Sequence, residues 1–263
     1  MAKTKIRVIQ WNICIISKIS KIVEFIDRNI TEKCIVNLQE VTEKSFNYLK
    51  ENLNDNAAFS LIHRTPGVYE GKNRKMGVAT LCFGGSIAES CLLNRSVFPE
   101  RTLITKIKMD ERVVNNFTFH SLTGVDYKKA KSSNFASIAS FLASSGEIDF
   151  FSCDANEPKT DSINDELMEF YDNRDEGKNA GLLFGNEKAH TLIDSYKSYA
   201  KQSGEKLSDG FTYITGKVKR RYDHMYHNPI WEVVCAKSFY EDSIEASSDH
   251  AMVICDYTVN EET

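Results

Sequence analysis

Residues 148–156, Ile148-Asp-Phe-Phe-Ser-Cys-Asp-Ala-Asn156, form a short apolar run that ends in two polar side chains spaced two apart. The run predicts a strand over 148–152, and side chains two apart at a strand end leave the same face. An Asp-x-Asn at that place can equally close an Asx turn. The same composition recurs along the chain, at Trp11-Asn12, Gln39-Glu40, His120-Ser121, Tyr222-Asp223-His224 and Ser248-Asp249-His250, each on or beside a strand-like run. Residues 12, 40, 120, 154, 223 and 249 can build one site only if they fold as a unit, so one domain over 1–263 is expected.

Between these clusters the chain mixes strand and helix patterns. Residues 5–11 alternate polar and apolar, and 34–38 is a short apolar run, so both predict strands. Ile19, Ile22, Val23 and Ile26 between them make the stripe of a one-faced helix. Further strands are expected over 57–63, 76–83, 87–93, 102–109 and 113–121, with a hairpin through Met109-Asp-Glu-Arg112. Phe135, Ile138, Ala139 and Leu142 mark a second helix ending near Gly146. Residues 157–210 are polar and helix-prone, with an exposed loop expected over 173–181, and strands follow over 211–215, 221–227, 230–237 and 250–258. Many strands joined partly by hairpins and partly by helices predict an α+β sandwich, two packed mixed sheets flanked by helices.

Composition narrows the class. Hydrophobic residues at 41% and charged residues at 27% are globular values and exclude disordered and fibrous chains. A net charge of −4 repels nucleic acid overall, so any grip on phosphate must come from local patches and metal. No long apolar run or signal-like start is seen, which leads to the expectation of a monomeric cytoplasmic protein without a membrane span. The seven cysteines are odd in number and never paired as Cys-x-x-Cys, and they are expected as small buried hydrophobes in a reducing compartment.

The ordered set Trp11-Asn12, Gln39-Glu40, Met76-Gly-Val-Ala79, Phe119-His-Ser121, Cys153-Asp-Ala-Asn156, Arg221-Tyr-Asp223 and Ser248-Asp-His250 resembles the endonuclease/exonuclease/phosphatase superfamily, the DNase I-like proteins. The resemblance spans essentially the whole chain and implies a four-layer α/β sandwich and a metal-dependent phosphoester hydrolase. Glu40, on its own, is either a strand-end surface charge or a ligand for a hard cation. The resemblance implies the latter, with Mg2+ or Mn2+ at Glu40 helped by Asn12 and Asp249. It also implies that Asp154 positions or deprotonates the attacking water and that Asn156 holds a phosphate oxygen. His120 would contact the scissile phosphate or assist the leaving group. Asp223 and His250 are expected to pair, since a carboxylate fixes one imidazole tautomer and raises its basicity.

Two departures from the family pattern stand out: Cys153 replaces the usual Gly before Asp154, and Met252 replaces the Pro two residues after His250. The basic run ending in Lys219, Arg220 and Arg221 leads into the Asp223 strand, where a phosphate backbone would enter. Arg74 and Lys75 offer a second patch, and Lys128, Lys129 and Lys131 a third. His63, His190, His224 and His227 have no motif role and are expected at the surface or behind the site. The stretch His120-Ser-Leu-Thr-Gly124 looks closest to nonspecific DNases, so a DNA endonuclease is the first expectation. A phosphatase or phosphodiesterase acting on a lipid headgroup or another small phosphorylated molecule is the alternative, and an inactive nucleic-acid- or phosphate-binding module is a third.

Overall fold

Alternation along the strands decides the layering. A computed structural model describes residues 3–64, 75–123, 128–161, 168–171 and 178–260. In chain order its first elements are β1 (Lys3–Asn12), α1 (Ile19–Asp27), β2 (Cys34–Thr42), α2 (Glu43–Asn52), β3 (Ala57–Phe59), β4 (Met76–Phe83), β5 (Ser86–Cys91), β6 (Thr102–Met109) and β7 (Arg112–His120). There follow α3 (Lys128–Ser145), β8 (Phe150–Asp154), α4 (Lys178–Phe184), β9 (Ile193–Asp194), α5 (Ser195–Ser203), β10 (Tyr213–Thr215) and β11 (Val218–Arg220). The last are β12 (Asp223–His227), β13 (Glu232–Phe239), α6 (Tyr240–Glu245) and β14 (Met252–Asn260). Two six-stranded sheets form, in the orders β13-β14-β1-β2-β4-β3 and β5-β6-β7-β8-β12-β9, with β10 and β11 as a separate ribbon. Both sheets are mixed, because β1 runs parallel to β2 and β7 parallel to β8 while their other partners are antiparallel.

Side chains on the facing surfaces, including Ile6, Val8, Ile35, Ile107, Val114, Phe150 and Met225, make one core between the sheets. The opposite faces carry the odd partners. Ile9, Trp11, Val36 and Leu38 pack against Ile22 and Phe25 of α1 and Phe46 and Leu49 of α2. Phe117, Phe119, Phe151 and Cys153 pack against Phe135, Ile138 and Leu142 of α3 and Leu183 and Phe184 of α4. The expected sandwich of two sheets between helix layers is thus present. Phe117, Phe119 and Phe151 also stack on one another at 5.6–6.3 Å between ring centroids, which fills the outer face of the second sheet with aromatic surface.

Several elements depart from the sequence-based expectation. The strand expected over 57–63 stops at Phe59 and continues as a 3-10 turn, because Ser60 turns inward to donate to the carbonyl of Glu100. Part of the loop expected over 173–181 is helix α4, while residues 172–177 lie outside the described residues. Cys34, Cys82, Cys153 and Cys255 are buried as expected, but Cys91 is exposed and Cys14 and Cys235 are half-buried.

Of the two placements expected for His190, His224 and His227, at the surface or behind the site, the surface one is excluded, since all three are buried. Burial holds each as a neutral imidazole, pushed from 6.5 down to about 4. An unfolded chain therefore binds protons at these positions below pH 6.5 that the folded chain refuses. Stability is fully present above that pH and is lost as pH falls toward about 4, by roughly 3 kcal/mol per histidine at about 1.4 kcal/mol per pKa unit. Urea unfolding at pH 7.5 and pH 5 should show a clear loss at the lower pH. The loss should shrink when His227 is replaced by Gln.

Candidate active site

The inner faces of the central strands change character toward one end. In β1 the inward positions run Ile6, Val8, Gln10, Asn12; in β7 they run Val114, Asn116, Thr118, His120; in β8 they run Phe150, Ser152, Asp154. The polar end of each strand meets the others across the gap between the sheets. Asp154, fully buried, is the meeting point. Its Oδ2 accepts a hydrogen bond from Asn12 Nδ2 at 2.8 Å and lies 3.5 Å from His120 Nε2 and 3.8 Å from His250 Nε2. Its Oδ1 accepts from the backbone N–H of Asn156 at 3.0 Å, so the Asx turn and the site coexist.

Glu40 reaches this group from the first sheet. The pairing of β2 with β4 shifts register between Leu38 and Val41, and Glu40 occupies the bulge at φ +57°. A bulge re-aims one side chain, and here it lets Glu40 join Gln39 at the same strand end. Glu40 Oε1 accepts from Asn12 Nδ2 at 3.2 Å and lies 3.9 Å from His120 Nε2, while Oε2 accepts from the N–H of Ile15 at 2.9 Å. Cys14, Asn156 and Ser247 also adopt left-handed backbone, so four of the five such non-glycine residues described lie within two positions of a polar cluster. Backbone in this region costs about 1–3 kcal/mol per residue and concentrates where geometry serves a site.

His250 is held on three sides. Its Nδ1 donates to Asp223 Oδ2 at 2.8 Å, its carbonyl accepts from Trp11 Nε1 at 2.9 Å, and its N–H donates to Ser248 Oγ, which itself donates to the carbonyl of Asn12. Tyr213 of the β10–β11 ribbon covers the ring at 4.6 Å between centroids. The expected Asp223–His250 pair is therefore formed. Burial alone would lower the basicity of His250, but Asp223 and Asp154 outweigh it and raise its pKa to about 10, which makes it an imidazolium at neutral pH. Asp154 is raised to about 7 by burial and by Asp223, against the opposing pull of His250 and Asn12.

His120 differs from His250 in charge. Burial, then the nearby Arg101 guanidinium and His250, hold it well below 6.5, so it is neutral. Arg101 NH1 lies 3.1 Å from His120 Nδ1, and a guanidinium can only donate. The ring proton is thereby placed on Nε2, the atom facing Asp154 and Glu40. Arg101 was not marked in the sequence, because it sits in the 3-10 turn before β6 and not in a strand-end cluster.

Asp249, expected beside Glu40 and Asn12, is exposed and touches the Cys14 thiol, whose backbone N–H is held by Asn12 Oδ1 at 3.0 Å. Burial raises that thiol to about 11, and both Asp249 and Glu40 push it further in the same direction. Among the described residues the tightest group of donor atoms is a different one, Asp154, Asp223 and His250, within 4.8 Å of one another. In that group His250 already supplies a positive charge to Asp223, whereas Glu40, Asn12 and Asp249 offer oxygen atoms of the kind a hard cation takes.

No protein-family model matches the chain, and no curated protein matches it in sequence. Solved structures match it along nearly its full length. D. rerio TDP2 complexed with a single-strand DNA product aligns with a TM-score of 0.65 at 14% identity, over 97% of this chain and 99% of that one. The human Nocturnin catalytic domain with bound sulfate gives 0.67 at 16% identity, over 97% and 96%. An endonuclease/exonuclease/phosphatase family protein from Bacteroides thetaiotaomicron gives 0.62 at 14%, over 99% and 100%. The chain shares its fold with these proteins. Cys153, standing where the resembled sequence pattern usually has Gly, is an outward residue packed under α3 and α4, so it leaves the face carrying Asp154 unobstructed.

Of the basic groups expected around the site, Lys75 and Lys219 are exposed and Arg220 is half-buried. Lys219 lies over the Phe211 ring and Arg220 over Tyr171, at 4.0 and 5.9 Å. Arg74 lies outside the described residues. Lys131 does not belong to a surface patch; it is buried, donating to Glu157 Oε1 and the carbonyl of Asn156, both at 2.9 Å.

Arg221 is likewise corrected as a substrate contact. It is buried, donates through Nε to Asp161 at 2.6 Å, and grips Asp194 with both terminal nitrogens at 2.7 and 3.0 Å. Its guanidinium ties β12 to β9. Replacing Arg221 with Met removes the main counter-charge of two carboxylates, leaving Asp161 with Lys197 and Asp194 with the backbone N–H of Lys197, and should cost about 3 kcal/mol in urea unfolding. A change under about 1 kcal/mol, the scale of an exposed ion pair, would contradict this structural role.

Proposed function

We propose that the protein is a divalent-metal-dependent phosphodiesterase that hydrolyses DNA as an endonuclease, by in-line attack of water. The observation that carries this reading is Asp154, a buried carboxylate poised near neutral pH and ringed by Asn12, His120 and His250. Such a carboxylate can take a proton at neutral pH and release it again. The single-strand DNA product bound to the structurally similar TDP2 supports DNA as the substrate.

A hard cation fits the residues present. Glu40, Asn12 and Asp249 offer oxygen donors, and the neighbouring Cys14 stays a neutral thiol. Bound there, Mg2+ or Mn2+ would polarise a phosphoryl oxygen and offset developing charge. Asp154 Oδ2 accepts a proton from water as the water oxygen bonds to phosphorus and the opposite P–O bond breaks. The His250 imidazolium, fixed by Asp223, and the Asn156 amide donate to non-bridging oxygens. His120 Nε2 lies 3.5 Å from the Asp154 carboxylate, where it can donate to a phosphate oxygen or to the leaving group. The departing oxygen takes its proton from solvent. Lys75, Lys219 and Arg220 would line the path of the DNA backbone.

A second reading has one observation in its favour. Ile15 and Ile16 stand 44% and 86% exposed in the loop whose N–H holds Glu40, an apolar rim suited to a lipid phosphoester. Rates on plasmid DNA, on bis(p-nitrophenyl) phosphate and on phospholipid vesicles, each between 50 and 200 mM salt by design, separate the readings. DNA cleavage that falls about tenfold or more with salt is the expected result. Turnover confined to vesicles, or to the small ester without salt dependence, would replace DNA as the substrate.

A further inference from the structure

The space between the sheets is divided. One half is apolar, and the half leading to Asp154 is filled by Gln10, Asn37, Gln39, Thr80, Thr105, Asn116, Thr118 and Ser152, all 0% exposed. Asn37 bonds across the gap to Asn116 and Ser152, and Gln39 to Thr118, while Thr80 donates to Asn37 within its own sheet, all at 2.8–3.0 Å. None of them holds a buried polar atom without a partner. A hydrophobic filling would serve stability as well, since satisfied buried networks about break even with apolar packing. What the amides add is direction.

Gln10 on β1 and Gln39 on β2 form a two-way amide pair, 2.5 and 2.8 Å long, and Gln10 Nε2 also approaches Asp223 Oδ1 at 3.3 Å. The other oxygen of Asp223 is the one that receives His250 Nδ1. Asp223 and Asp154 belong to the second sheet, whereas His250 precedes β14 of the first, so the dyad spans the gap between sheets. We propose that the Gln10–Gln39 pair is a positioning device: it fixes the Asp223 carboxylate, and through it His250, in register with Asp154 across the two sheets. Thr118, two residues before His120, takes the remaining Gln39 proton, so one amide pair indexes both histidine-bearing sides of the site.

The kinetic consequence rests on the proposed hydrolysis, but the structural one does not. In the Gln10→Leu/Gln39→Leu variant, both amides leave together and volume is kept. The urea midpoint should fall modestly, because the buried Thr118 hydroxyl and Asp223 Oδ1 each lose a donor. The downfield Nδ1–H proton signal of His250, identified by its absence from His250→Gln, should shift upfield or broaden. On DNA, kcat should fall about tenfold or more with KM unchanged, and the fall should vanish when the same change is made in Asp223→Asn. An unchanged His250 signal, or an equal fall in both backgrounds, would overturn the proposal. If the natural protein cleaves nothing, the function reading fails and the proton signal alone decides the positioning role. Should the double variant not fold, Gln10→Met keeps the side-chain length without the amide and takes its place with the same readouts.

Discussion

Asp154→Ala should lower kcat by about a thousandfold or more while leaving the fold intact. The size follows from its place in the site. Asp154 is the carboxylate on which Asn12, His120 and His250 converge, so its loss removes the proton acceptor and the group that orients the donors. Its elevated basicity also sets a pH dependence. Being raised to about 7, it is protonated and idle in acid and becomes competent as pH rises. A bound cation draws the value down, so the acid limb of kcat/KM should lie at or below pH 7. At the other end, His250 stays charged up to about 10, and activity should decline only where that charge is lost. His250→Ala should approach the effect of Asp154→Ala, and the double variant should lose little more, because groups acting as a unit are not additive. Turnover within tenfold of normal in Asp154→Ala would remove it from the chemistry.

Glu40→Gln should raise the Mn2+ concentration needed for half-maximal activity by at least about a hundredfold, since even outer partners of metal ligands typically cost 10–100-fold in affinity. The substitution keeps the length and the hydrogen-bonding oxygen but removes the charge. Glu40 carries left-handed backbone in a strand bulge, and its carboxylate is engaged by Asn12 and the Ile15 N–H. An amide keeps one of those two acceptor bonds, so a small loss of stability should accompany a much larger loss in cation binding. Calorimetric titration with Mn2+ in the absence of substrate gives the same comparison without turnover. Identical titrations for the two proteins would return Glu40 to a strand-end role.

The layering and most of the site could be read from the chain because both depend on period-two alternation. Phe117 and Phe119 against Thr118 and His120 is that pattern, and the structure keeps it, with the phenylalanines under α3 and the histidine in the gap. What could not be read depends on partners remote in sequence or on single-residue irregularities. The Glu40 bulge leaves no trace in composition, since it arises from pairing with β4. Arg221 looked like the end of an exposed basic run, but it turns inward to Asp161 and Asp194, 60 and 27 residues away. Lys131 was misplaced for the same reason, its carboxylate partner being 26 residues on. Helix α2 was missed because Thr42 and Ser45 cap it with hydroxyls, where the usual signature has an acidic or amide residue. Arg101 carried no signal beyond its charge, and only its distance to His120 gives it a part in the site.

The central claim is that the groups around Asp154 hydrolyse DNA with a divalent cation. Supercoiled plasmid incubated with the natural protein in Mg2+, in Mn2+ and in EDTA, alongside Asp154→Ala and His250→Ala, tests it most directly. Nicking that requires the cation and is absent from both variants is the predicted result. Plasmid left intact by the natural protein, or nicked equally by Asp154→Ala, would contradict the account.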